Sequence, residues 1–249
     1  MLISLVITVY NRQQFLAVTI ESILAQTYRH FELLIWDDGS TDQSITIARH
    51  YAKQDHRIRV VTAENQGVTG ALKAAIVQTS GTYIGWVDSD DVLAPTALQE
   101  TIAVLESNLS VGMVYTHYHV IDEVGNDQGL GVRNQVPYSP DQLLVSFMTF
   151  HFRLLRRSVY EQIGGLDVEY ERAEDYDLCL RLSEVTEIRL VPKPLYFYRQ
   201  HSGNMTNDDL EQIRWSYRAN SSALKRRGLD RKYAIDLQVI SQFILRRVK

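Results

Sequence analysis

Residues 83–92 read YIGWVDSDDV. An apolar run gives out into three carboxylates, Asp88, Asp90 and Asp91, with only Ser89 between the first two. Two unit charges about 4 Å apart interact by roughly 4 kcal/mol at an effective dielectric near 20. Acids crowded where a buried strand ends therefore call for water or a cation to relieve them.

The theme recurs upstream. "LISLVITV" at 2–9 is a continuous β-branched run, the mark of a strand buried on both faces, and Thr8 and Tyr10 stand at its end. "FELLIWDDGSTD" at 31–42 is a second strand ending in Asp37 and Asp38, and "RIRVVTA" at 57–63 a third. Between them, apolar residues fall at helical spacing: Leu16, Ile20, Ile23 and Leu24; Ile45, Ala48 and Ala52; Val68, Leu72 and Ala75. After the fourth strand, Pro95 opens a helix carrying Leu98, Ile102 and Leu105. Strands alternating with helices predict an α/β fold with a mostly parallel sheet. Ligands of such sheets bind outside the carboxyl ends of the strands, which is the edge that receives all these polar residues.

Beyond residue 110 the pattern changes. "VGMVYTHYHVID" at 111–122 alternates as a strand, and "EVGNDQGLGVRNQVPYSPDQ" at 123–142 reads as a long, mobile loop. A strand over 150–157, a short helix ending at Gly164-Gly165 and a helix in "AEDYDLCLRLSEV" follow. "IRLVPKPLYFYRQH" makes one or two strands. From about Asp208 the tail is helical, with Ile213, Tyr217, Leu224, Ile240 and Ile244 on its apolar face.

The 249 residues are 45% hydrophobic and 22% charged, enough for a sizeable core. The single Cys179 excludes an internal disulfide framework and fits a reducing compartment. "MLISLVITVYNR" reads as a first strand, not a signal peptide, and no apolar run approaches the roughly 20 residues of a membrane span. From Arg214 to Lys249 there are 10 Lys/Arg against 2 Asp/Glu, a balance of +8 that leaves −12 on the rest of a chain whose net charge is −4. The basic tail suits either an anionic membrane surface or the acidic body itself. A body so acidic argues against nucleic-acid binding, and the lack of a Gly-rich turn after the first strand argues against a dinucleotide dehydrogenase.

Hard cations such as Mg2+ and Mn2+ prefer carboxylate oxygens and leave room for phosphate, so Asp88, Asp90 and Asp91 suit a metal-bound diphosphate. The competing reading is an exposed acidic turn that caps the next helix. "DSDDV" also fits the D-x-D-x-V of aspartyl phosphatases, although that motif usually follows the first strand of its core. Paired acids serve glycoside hydrolysis as well.

"VITVYNR", "DDGSTD", "DSDD" and "AEDYDLCLRL", in this order and spacing, closely resemble the family 2 glycosyltransferases, which have the GT-A fold. "NQGVTGALKAAI" and "GGLD" sit where that family has them, and the resemblance covers about residues 2 to 205. It implies a donor-binding half over 1–110, an acceptor-binding half over 111–205 and a basic helical extension over 206–249. It implies an inverting, metal-dependent transferase using a nucleotide-diphosphate sugar of UDP or TDP type, with a glycan or lipid-linked acceptor. Thr8, Tyr10, Asn11, Asp38, Lys73 and Asp88 would hold the nucleotide, Asp38 accepting from a base N–H. Asp90, Asp88 and His201 would hold Mn2+ or Mg2+. Asp175 would be the catalytic base, with Glu174 orienting it or reaching the acceptor; read alone, these are first-turn helix acids. The resemblance also implies a cytoplasmic protein, able to rest on the inner face of the membrane through its tail. Relatives often carry Ala-Arg-Asn in the third helix where this chain has Ala71-Leu72-Lys73, which bears on the donor and raises a reading as a degenerate binding module.

Overall fold

Continuous apolar runs become the buried strands of the computed structural model, which describes residues 1–204 and 209–237. β1 (Ile3–Val9), α1 (Leu16–Leu24), β2 (Phe31–Asp37), α2 (Ser44–Gln54), β3 (Ile58–Thr62), α3 (Gly67–Val77) and β4 (Tyr83–Trp86) alternate as expected. β1 lies parallel to both β2 and β4, and β2 parallel to β3. Ile3, Leu5, Ile7 and Val9 enter one core with α1, whereas Val6 joins Leu34 and Ala75 in a second core on the other face. Burial on both faces is why these strands show no polar alternation.

The second half extends the same sheet. It comprises β5 (Val92–Leu93), α4 (Ala97–Ser107), β6 (Val111–Ile121), β7 (Asp127–Leu130), α5 (Pro140–Leu143), β8 (Arg153–Arg156), α6 (Arg157–Gln162), α7 (Glu174–Leu182), β9 (Glu187–Arg199) and α8 (Asp209–Arg226). Among the described residues the strand order is β3-β2-β1-β4-β8-β6-β9-β5, with β7 on β6. β8 is antiparallel to β4 and β6, so the sheet is parallel on one side and mixed on the other.

Several expectations need correction. The stretch 123–142 is not one loop, because it holds β7, a 3₁₀ turn at Val132–Gln135 and α5. Asn134 ties that turn to β6 by accepting from Tyr118 N–H at 3.3 Å and donating to Tyr118 C=O at 2.7 Å. Residues 187–199 form a single strand, and its register against β6 slips around His117, which pairs with Pro194. Proline has no N–H to give the ladder, so a slip is expected there. β5 has two residues, too few to show periodicity. In α8 the buried face is carried by Leu224, as expected, together with Ala219 and Ala223, whereas Tyr217 is 43% exposed. Small side chains there let α8 lie close on α7. Ile240 and Ile244 fall outside the described residues. No helix among the described residues is long and apolar enough to cross a membrane.

Candidate active site

A cleft of ≈ 320 Å³ opens at the carboxyl ends of β1, β2 and β4. That volume lies at the lower end of the range for small-molecule sites. One wall carries Thr8, Tyr10, Asp38 and Val68; the other carries Arg133, Phe147, Phe150, His151 and Tyr198. Between them lie Trp86, Asp88, Asp90, Arg153, Glu174 and Asp175. Val68, expected to face the core, is 38% exposed because it faces this cleft.

On the first wall, Asp38 is 3% exposed and caps α3. Its carboxylate accepts the backbone N–H groups of Gln66 at 3.1 Å and Gly67 at 3.0 Å. These are orphan donors at a helix start, where negative charge is favoured. Tyr10 is 50% exposed at the mouth. Asn11 does not line the cleft: its Oδ1 accepts from Thr41 N–H at 2.8 Å and it takes a positive φ of 53°. Lys73 does not line it either. It stands two residues after the cleft-lining Ala71, about 200° around the helix.

On the floor, Asp90 Oδ2 meets both Arg12 Nε and His201 Nε2 at 3.0 Å. His201 stacks on Phe15 with ring centroids 4.8 Å apart and stands behind Asp90, not on the cleft surface. Asp91 is fully buried, and its Oδ1 accepts Arg199 N–H at 2.7 Å. Asp91 Oδ2 has no hydrogen-bond partner among the described residues. Burial and the neighbouring Asp90 and Asp88 push the Asp91 carboxyl well up. The Asp88 carboxyl is pushed up to about 7, first by desolvation and then by Asp90. The Asp88 side chain keeps 45% exposure, so solvent screening tempers that push.

His151 was not singled out by the sequence. It is 5% exposed, stacks on Tyr196 and places Nε2 3.5 Å from Asp88 Oδ2. Burial, then Arg153 and Arg133, hold its pKa well below the usual imidazole value, so it is neutral near pH 7. Ligand atoms of Asp88, Asp91 and His151 all lie within 4.8 Å of one another. Crowded carboxylate oxygens at the cleft, those of Asp88 and Asp90, fit a hard divalent cation. Access separates the acids: Asp88 and Asp90 line the cleft and Asp91 does not.

Arg153 was also missed. Nothing in "FHFRLLRR" distinguishes a buried arginine from a solvated one on an alternating strand. It is 2% exposed, lies 5.2 Å over the Trp86 ring, and its Nη1 donates to Asp175 Oδ2 at 2.9 Å. Asp175 and Glu174 open α7, immediately after Ala173 at a φ of 57°. The Glu174 carboxyl is pushed up to about 8 by burial, then by Asp175 and Asp88. Two adjacent acids are thereby differentiated, one paired with arginine and one holding its proton at neutral pH.

The tail packs on the body. Arg226 and Arg227 pair with Glu184 at 3.0 and 3.4 Å, and Arg218 pairs with Glu169 at 2.6 Å.

Comparison with known proteins agrees with this geometry. Residues 4–164 match the family model described as Glycosyl transferase family 2. The chain is 32% identical over 233 residues to chondroitin synthase of Escherichia coli, covering 93% of this chain and 34% of that protein. It thus spans about a third of that relative. Among solved structures, S. aureus TarS 1–349 in complex with UDP-GlcNAc aligns with a TM-score of 0.73 at 20% identity, covering 90% of this chain and 66% of that one. The mannosyltransferase PcManGT of Pyrobaculum calidifontis, in complex with GDP-Man and Mn2+, aligns with a TM-score of 0.66 at 15% identity, covering 94% and 76%. At these identities the structural matches establish a shared fold.

Proposed function

The chain belongs to glycosyl transferase family 2, and we propose that it transfers a sugar, with inversion, from a nucleotide-diphosphate sugar to a hydroxyl of a glycan or lipid-linked acceptor. The observation that carries this reading is Asp175, held by Arg153 and sharing one cleft with the Asp88–Asp90 edge. Inversion in one displacement needs a single base to take the acceptor proton as the hydroxyl attacks. Asp175 is that base. Glu174, protonated at neutral pH, donates a hydrogen bond to an acceptor oxygen and does not compete as a second base.

Asp38, Thr8 and Tyr10 make the nucleotide wall. The Asp38 carboxylate, oriented by two backbone N–H groups, keeps lone pairs for an imide N–H, which favours uracil or thymine. Asp88 and Asp90 would hold Mn2+ or Mg2+, with His201 from behind and Arg12 at the cleft surface orienting Asp90. Such an ion would neutralise charge growing on the departing diphosphate. We place the enzyme in the cytoplasm, reaching lipid-linked acceptors at the inner membrane face.

Thermal shift with UDP, TDP, GDP, CDP and ADP, each with and without Mn2+, tests the reading. Stabilisation by UDP or TDP that requires the metal is the expected result. No stabilisation by any diphosphate would overturn the donor site. Asp175→Asn should keep that shift and lose about 10²- to 10⁴-fold in transfer.

A further inference from the structure

The wall opposite the nucleotide residues carries a positive charge that the proposed reaction does not use. Arg12 pairs with Asp90 and Arg153 with Asp175. Arg133 has no carboxylate partner among the described residues. It lies 4.5 Å over Phe150 and 5.2 Å over Phe147, and its Nη1 donates to Phe147 C=O at 3.1 Å. Guanidinium stays charged at all working pH and carries five N–H donors in a planar fork. Two rings and one carbonyl hold this fork flat and leave most of its donors for a ligand. The 3₁₀ turn beneath it is fastened to β6 through Asn134, so the charge is pre-positioned.

Its place in the sheet says what it can reach. β6 is three strands from β1 in the order β1-β4-β8-β6, or about 14 Å at ordinary strand spacing. The turn that carries Arg133 is tied to β6, so its anchor lies away from the β1–β4 edge. Arg153, which holds Asp175, lies between, and its guanidinium is 5.8 Å from the same Phe147 ring that Arg133 covers. Arg133 and Arg153, the partner of the proposed base, thus lie against one ring, Phe147.

Resting on the glycosyltransferase reading, we propose that the acceptor is anionic, and that Arg133 binds a carboxylate or phosphate it carries close to the attacking hydroxyl. A planar fork matches either group through paired hydrogen bonds.

The test is equilibrium binding to the full chain, with and without UDP and Mn2+. Three probes are used: an oligosaccharide ending in a hexuronate, the same oligosaccharide with its carboxyl reduced to an alcohol, and a glycan bearing a phosphate monoester. At least one anionic probe should bind about tenfold or more tightly than the neutral one, and which one binds identifies the source of the anion. Arg133→Gln should reduce that preference by about tenfold to a hundredfold, the size expected of a charged hydrogen-bonded pair. Arg133→Lys, which keeps charge without the fork, should fall between. UDP affinity, unchanged in both variants, reports that the fold is intact. Equal binding of neutral and anionic probes overturns the proposal, as does a preference that survives in Arg133→Gln. So does a loss confined to UDP affinity, which would assign Arg133 to the donor. Failure of the chain to bind UDP at all would instead count against the donor reading, because the probe preference is also measured without nucleotide.

Discussion

Arg153 Nη1 stands 2.9 Å from Asp175 Oδ2, and the arginine is only 2% exposed. The pair fixes where the base points. A misplacement of about 1 Å at a reacting group can cost about 10²-fold. Arg153→Lys retains the charge but displaces the donor, since Nη1 alone serves both Asp175 Oδ2 and Thr149 C=O, the latter at 3.1 Å. It should lower kcat about 10- to 10²-fold with little change in the donor KM. A rise in donor KM at constant kcat would assign Arg153 to nucleotide binding instead.

Glu174 makes stability depend on pH. A carboxyl raised in the fold from 4.5 to about 8 binds its proton more tightly there than in the unfolded chain. Its cost to stability is absent below about 4.5, grows as pH rises and levels off above about 8. Asp88, raised to about 7, acts in the same direction. The wild type should therefore lose stability between pH 5 and 8. Glu174→Gln should match it at pH 5 and have the higher Tm at pH 8. A variant no more stable than wild type at pH 8 would show that burial does not hold the proton there.

Gly85 lets β4 and β8 approach closely enough to bring Arg153 under Trp86. A Cβ at this position would stand 2.9 Å from Phe152 Cζ and 3.1 Å from Arg153 C=O. The carbonyl is backbone and cannot swing away. Gly85→Ala should cost about 1–3 kcal/mol, as overpacking usually does. Chemical denaturation with an unchanged m-value would measure it, and a neutral result would mean that the two strands can separate freely.

The parallel half of the fold was legible because burial on both faces writes itself as unbroken apolar runs. β1, β2 and β4 are such runs, and the acids at the ends of β2 and β4 marked the cleft edge. The mixed half was less legible. Two-residue β5 carries no period, and the β7 hairpin hides among Gly and Asn. Arg153 and His151 escaped notice for a different reason. Each is polar on a short segment, and only the approach of β4 and β9 reveals that it is buried. Tyr217 misled because bulk resembles a core position, whereas close helix packing favours Ala219 and Ala223.

The acids at the end of β4 separate into two roles by access. Asp88 and Asp90 line the cleft, whereas Asp91 is fully buried and committed through Oδ1 to Arg199 N–H. A cation that also touches a diphosphate must sit on the cleft side. Asp90→Asn should therefore weaken Mn2+-dependent UDP binding about tenfold or more, and Asp91→Asn, which can still accept from Arg199, by clearly less. The reverse order would move the ion to the buried group of Asp88, Asp91 and His151. Since Asp88 must lose a proton that it holds up to about 7, apparent Mn2+ affinity should climb from pH 6 to pH 7.5, by at most about tenfold per unit. Titration calorimetry at several pH values reads this slope, and Asp88→Asn should both flatten the slope and weaken the binding. A slope that persists in Asp88→Asn would place the competing proton on another group.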